Sequence, residues 1–250
     1  SYIGIGVDSG GDRQKGFAPP KNIYIKNNSI ISNNQARYKR AGISLFCNAS
    51  RFTGKQTLLA DNFIVEDNTL DGYGGDNTDG AISLSNVQRV YLKNNRITNY
   101  TRCAVCANDI VQQLNIVGNT LTNAYPYLAI LLTNKGQGYQ QPPQTIITPT
   151  NSKLKAVAKL KNNQLNQVDI VYLPNASWTQ LPNIEFQGNA TLLATAIIKR
   201  YLPVAIMIQS QNTDCLISNN NFQQTNGISF YKNNPLQINA SSAKVSNIRL

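Results

Sequence analysis

Five stretches of the chain are variants of one phrase: NIYIKNNSI (22–30), NFIVEDNTL (62–70), RVYLKNNRI (89–97), QLNIVGNTL (113–121) and DCLISNNNF (214–222). Each alternates apolar and polar residues, reaches a polar pair ending in Asn, and resumes with an apolar residue. Side chains alternate faces along a strand, so Ile23 and Ile25, Phe63 and Val65, Val90 and Leu92, Leu114 and Ile116, and Cys215 and Ile217 point to one side. One position is Asn in every copy: Asn28, Asn68, Asn95, Asn119 and Asn220. The residue before it is Asn, Asp or Gly, the types that tolerate the left-handed conformation of a tight bend. Stacked copies then form an internal asparagine ladder whose amides bond to neighbouring turns, a structural role.

A second strand follows: AGISLF (41–46), GAISLS (80–85), CAVCAN (103–108), VAIMIQ (204–209) and NGISFY (226–231), with YIGIGVD (2–8) as an earlier one. Ile43 with Leu45, Ile82 with Leu84, and Ile228 with Phe230 face the core. Asn68 to Asn95 is 27 residues and Asn95 to Asn119 is 24, too short for a propeller blade and suited to one coil of a solenoid. Strands with bends at fixed offsets and no helical period argue for a parallel β-helix. The N-[IV]-x-[IV]-x-N-N-x-[IL] pattern resembles the right-handed parallel β-helix of the pectate-lyase-like superfamily, over residues 1–126 and 203–250. The resemblance implies an all-β solenoid of about 24–27-residue rungs. It leaves the chemistry open, because the same coil carries lyases, hydrolases, epimerases and phage tailspikes.

Asn119 and Asn220 lie 101 residues apart, four times the expected interval. The surplus between AYP (124–126) and YLP (201–203) predicts a small inserted β-rich domain at 127–202. It is itself a tandem repeat: LAILLTNKGQGYQQPPQTI is echoed by VDIVYLPNASWTQLPNIEF, with Tyr139 matching Trp178 and Pro143 matching Pro182, and LKAVAKL is echoed by LLATAII. The duplicate resembles modules of phage tail and tailspike proteins, although its second copy has Ala-Ser-Trp where Gly-x-Gly-Tyr is expected. Tyr139 and Trp178 either stack on carbohydrate, which makes the insertion a binding module, or cap the module's own core. With Asp169 and Glu185 as its only acids, the insertion is not expected to be catalytic.

Charge narrows the partners. Lys and Arg outnumber Asp and Glu by 23 to 12, a net +11 on a surface otherwise rich in Asn and Gln, so an acidic polymer is the natural ligand. No RNP-like, helix-turn-helix or zinc-finger signature promotes nucleic acid. No apolar run approaches the roughly 18–20 residues that cross a bilayer, so no membrane insertion is expected. Ser1 in place of Met, with strand-like residues already at 2–7, reads as a piece cut from a longer chain, so the missing signal peptide says little about export. Four cysteines and no histidine give no metal or cofactor site, and the cysteines read as small apolar fillers on strands.

In β-helices of the superfamily the polymer lies along the sheet of second strands, whose outward row here is Asp8, Phe46, Ser85, Asn108, Gln209 and Tyr231. Loops 32–40, 71–79, 99–102 and 123–203 lead into that sheet. Glu66, Asp67, Asp71, Asp76 and Asp79 place five of the twelve acids within 14 residues. Asp67 takes the bend position, whereas Asp76 and Asp79 belong to the entering loop. NTDG (77–80) resembles the NTDG motif of polygalacturonases, whose aspartate is one of three acting in inverting hydrolysis; the resemblance implies a catalytic Asp79. The rest of that pattern is absent: TRCAVCAND stands where paired aspartates belong, and without His there is no Gly-His-Gly element.

Glycoside hydrolysis needs two carboxyls, roughly 5 Å apart for retention or roughly 6.5–9.5 Å for inversion. Strand spacing of about 4.8 Å allows Asp79 to meet this with Asp76, Asp8 or Asp109. A lyase needs a cation beside the uronate carboxylate. Arg37, Tyr38, Lys39 and Arg40 with Arg102 supply one, unless they are simply a solvated basic loop. Tyr73, Asn108, Gln209 and Tyr231 complete the expected substrate contacts.

The expectation is therefore a homotrimeric phage tailspike body, carried on the virion, that binds and depolymerises acidic bacterial capsular polysaccharide, by hydrolysis rather than elimination. The rivals are a secreted bacterial polysaccharide lyase or uronate epimerase, and a spike that holds polysaccharide without cutting it.

Overall fold

The apolar alternation of each repeat becomes a strand, and strands of successive repeats lie side by side in parallel register. The computed structural model describes residues 4–8, 19–32, 41–47, 59–74, 79–149, 153–172, 180–210 and 213–249. These residues are almost wholly β, with one 3-10 turn at Tyr231–Asn233 and no α-helix among them. They divide into two compact units, one holding the described residues up to Tyr125 and from Leu202 onward, the other spanning Pro126–Tyr201.

Three parallel ladders make the first unit. The first runs through β1 (Ile5–Asp8), β4 (Ile43–Phe46), the start of β7 (Ile82–Lys93), the start of β9 (Cys103–Val117), β17 (Val204–Ile208) and β20 (Leu236–Ile238). The second comprises β2 (Lys21–Lys26), β5 (Ala60–Glu66), the ends of β7 and β9, β18 (Asp214–Ser218) and β21 (Ser242–Ser246). The third stacks β3 (Ser29–Ile31), β6 (Thr69–Asp71), β8 (Arg96–Thr98), β10 (Thr120–Thr122) and β19 (Asn221–Gln223). Inward residues stack on like residues: Ile25 on Val65, Leu92, Ile116 and Ile217, and Ile30 on Leu70, Ile97, Leu121 and Phe222. All of these are buried, and each contributes roughly 1.5–3 kcal/mol by leaving water.

The asparagine ladder forms at the bend between the second and third ladders. Asn119 Oδ1 accepts from the backbone N–H of Asn95 at 2.9 Å and from its Nδ2 at 3.0 Å, and Asn119 Nδ2 donates to Leu92 O at 2.9 Å. The same set links Asn28 to Asn68, Asn68 to Asn95 and Asn119 to Asn220. The preceding residues, Asn27, Asp67, Asn94, Gly118 and Asn219, all have positive φ, between 52° and 71°.

In two repeats the first and second ladders share one continuous strand: β7 and β9 run through both, bending at Asn86 (φ 55°) and Asp109 (φ 53°). Ser85 opposes Asn108 and Val87 opposes Val111, so β9 carries one extra residue at the bend, a β-bulge.

One expected strand is absent. NGISFY (226–231) does not join the first ladder; β20, ten residues further on, pairs with β17 instead. Lys232 and Asn233 both have positive φ, which breaks the extended run, and Pro235 restores an extended backbone at the residue before it. Tyr231 therefore lies in the 3-10 turn, its N–H bonded to Pro203 O at 2.9 Å, and the last place in the outward row falls to Asn239, whose N–H bonds Ile208 O.

The second unit is three antiparallel pairs: β11 (Tyr127–Asn134) with β16 (Thr195–Tyr201), β12 (Gln144–Thr148) with β15 (Asn183–Gln187), and β13 (Lys155–Lys161) with β14 (Gln164–Tyr172). Asn162 and Asn163, both at positive φ, close the last pair as a two-residue hairpin.

Candidate active site

The outward face of the first ladder carries an open depression of about 520 Å³, lined by Ser44, Phe46, Asp79, Ser83, Ser85, Asn108, Asp109 and Gln209 over the edges of Leu45 and Leu84. Three elements position its polar groups. The β4, β7 and β9 register sets Phe46 beside Ser85 and Ser85 beside Asn108. Gln209 continues the row, its N–H bonded to Ala107 O at 2.8 Å.

The bulge in β9 places Asp109. Its carboxylate accepts a 2.5 Å hydrogen bond from the Ser85 hydroxyl on the neighbouring strand, while the residue itself stays exposed. Nothing in the sequence period marks this residue, because the extra position exists only by comparison with β7.

The turn before β7 places Asp79. Gly80 N–H donates to Ser83 Oγ at 2.9 Å, which folds the turn back over its own strand. A Cβ on Gly80 would lie 2.8 Å from the Cys106 backbone nitrogen, so glycine is what lets Asp79–Gly80 rest on the backbone of β9. Beneath the turn, Cys103, Cys106, Val204 and Met207 pack together fully buried. The Cys103 thiol donates to Asp79 O at 3.7 Å. Its hydrogen bond with Cys106, and burial, push its pKa well above the usual thiol range, so Cys103 stays a neutral thiol. Among the described residues no group of three or more His, Cys, Asp or Glu is arranged to hold a metal.

The structure thus gathers Asp79, Asp109, Asn108 and Gln209 around one depression, together with Ser85 and Phe46. Other expected site residues lie elsewhere. Asp8 is exposed at the end of β1, beside Phe46 but outside the lining, and three strand steps, roughly 14 Å, separate it from Asn108. Tyr73 is half-buried, and that burial raises the pKa of its hydroxyl.

Arg102 is only 8% exposed, and its Nη1 donates to Leu202 O, which makes it a clamp on the chain rather than a cation offered to ligand. Tyr139 is fully buried, with its hydroxyl accepting from Ala194 N–H at 2.7 Å; it caps its unit's own core and cannot stack on sugar. Asp76, Arg37, Tyr38, Lys39, Arg40 and Trp178 fall outside the described residues.

Comparison with known proteins adds no assignment: no family model, no curated protein and no solved structure matches the chain.

Proposed function

We propose that the stacked ladders form a right-handed parallel β-helix and that the depression at Asp79 and Asp109 hydrolyses a polysaccharide. The observation that carries this reading is that Asp79 and Asp109, from different rungs, line one depression together with a row of amides, hydroxyls and one phenyl ring. Right-handed crossovers are the near-universal rule for parallel strands in one sheet. Amide and hydroxyl groups match sugar hydroxyls, and Phe46 offers a ring face to a pyranose.

Roles follow from position. Asp109, exposed and held by Ser85, acts as the base that activates water. Asp79, half-buried on the turn above the apolar floor, acts as the acid that protonates the leaving oxygen. Elimination is less well served, because the described lining holds no Lys or Arg to neutralise a uronate carboxylate. The setting proposed for this enzyme is a trimeric phage tailspike acting on bacterial capsule, on the resemblance of the repeated coil and of the inserted duplication.

The test is the size distribution of purified capsular polysaccharides after incubation with the protein. Cleavage without a new ultraviolet-absorbing double bond supports hydrolysis. Unsaturated products would replace it with a lyase, and unchanged polymer across a broad capsule panel would leave a spike that only binds.

A further inference from the structure

We propose that the exposed face of β13 in the inserted unit is a binding strip for the anionic groups of a linear acidic polysaccharide. The unit spanning 126–201 holds seven Lys or Arg against two acids, Asp169 and Glu185. Three of those cations lie at alternate positions of β13: Lys155, Lys159 and Lys161 are all exposed, with Val157 between them, while Ala158 is buried; Lys153, also exposed, precedes the strand at positive φ. Alternate residues of a strand project on one side roughly 7 Å apart, so the lysines form a line rather than a cluster.

The fold does not require them. In the echoed stretch LLATAII, Leu193 and Ile197 stand where LKAVAKL has Lys155 and Lys159, and both are about half exposed, at 51% and 54%. One copy of the duplication therefore shows apolar residues to solvent at these places, and the other shows charge. Of these lysines Asp169 pairs with Lys159, at 2.5 Å, so the line keeps a net positive charge. Asn166 and Gln167 on β14 are exposed beside it and suit sugar hydroxyls.

The inference takes the polysaccharide class from the proposed function but does not depend on cleavage. The experiment measures binding of sodium polygalacturonate, with dextran as neutral control and single-stranded DNA as the rival polyanion. It compares the full chain with Lys155→Gln/Lys159→Gln/Lys161→Gln and with Lys244→Gln, which removes an exposed charge from β21 in the first unit, and thermal melts verify that each variant folds.

The wild type and Lys244→Gln are expected to bind polygalacturonate equally, with affinity falling as salt rises. The triple variant should bind roughly ten-fold more weakly, from three exposed ion pairs lost. Unchanged affinity in the triple variant, no binding by the wild type, or tighter binding of DNA would each overturn the proposal. Loss of cleavage alone would leave it standing and count against the hydrolase reading instead.

Discussion

The two bends of each rung are built on opposite rules. At the bend between the second and third ladders every full rung places Asn, every amide is satisfied by its neighbours, and Asn68, Asn95, Asn119 and Asn220 are at most 1% exposed. At the bend between the first and second ladders the residue changes from rung to rung, from Asn86 to Asp109 to Ser210. Asn86 and Ser210 are buried and bonded to backbone, whereas Asp109 stays exposed in the depression. Repetition marks the residues that hold the stack together. Departure from it marks the one that can reach a ligand.

The largest expected effect follows from breaking the repetitive bend. Asn119→Ala would leave Asn95 N–H and Leu92 O buried without their partners, at roughly 1–3 kcal/mol each. Urea or thermal unfolding should show a loss of about 3–5 kcal/mol. Asn28→Ala, at the half-exposed end of the same ladder, should cost about 1 kcal/mol. Equal costs at the two positions would mean that the ladder is not cooperative with burial.

The irregular bend is sharpened by Gly80→Ala. The added methyl meets backbone at 2.8 Å and must lift the Asp79 turn from β9, at about 1–3 kcal/mol of stability. A far larger fraction of cleavage activity should be lost, and activity that merely tracks stability would argue against Asp79. Ser85→Ala should leave the fold intact and lower cleavage roughly ten-fold, because it removes the hydrogen bond that orients Asp109. An unchanged rate would argue against Asp109 in the reaction.

The smallest expected effect is a gain. Tyr100 is fully buried and its hydroxyl has no hydrogen-bond partner among the described residues, so Tyr100→Phe should stabilise by about 1 kcal/mol. Burial raises the Tyr100 pKa well above its usual value, so the folded state holds this proton more tightly than the unfolded chain. The wild type should therefore keep full stability below about pH 10 and lose it as pH rises further, and the variant should lose less.

The same contrast explains what the sequence made legible. The Asn ladder and the inward rows of Ile, Leu and Val follow from a period, so they could be read directly. Asp79 was visible as a surplus acid in a turn. Asp109 was visible only as a candidate, since its partner Ser85 lies 24 residues away and the bulge that aims it is a difference in count between two strands. NGISFY misled because its alternation imitates a strand, and Ile228 is indeed buried, while two left-handed residues downstream prevent the pairing. Arg102 and Tyr139 looked like ligand contacts because Arg and Tyr often are. Only burial shows that one clamps Leu202 and the other fills a core.

The most direct test is a crystal structure of Asp109→Asn with a bound capsular oligosaccharide. A glycosidic oxygen should lie within hydrogen-bond reach of Asp79, with a sugar against Phe46 and the substituted amide at position 109 facing the anomeric carbon. An oligosaccharide seated on another face, with the depression at Asp79 empty, would contradict it.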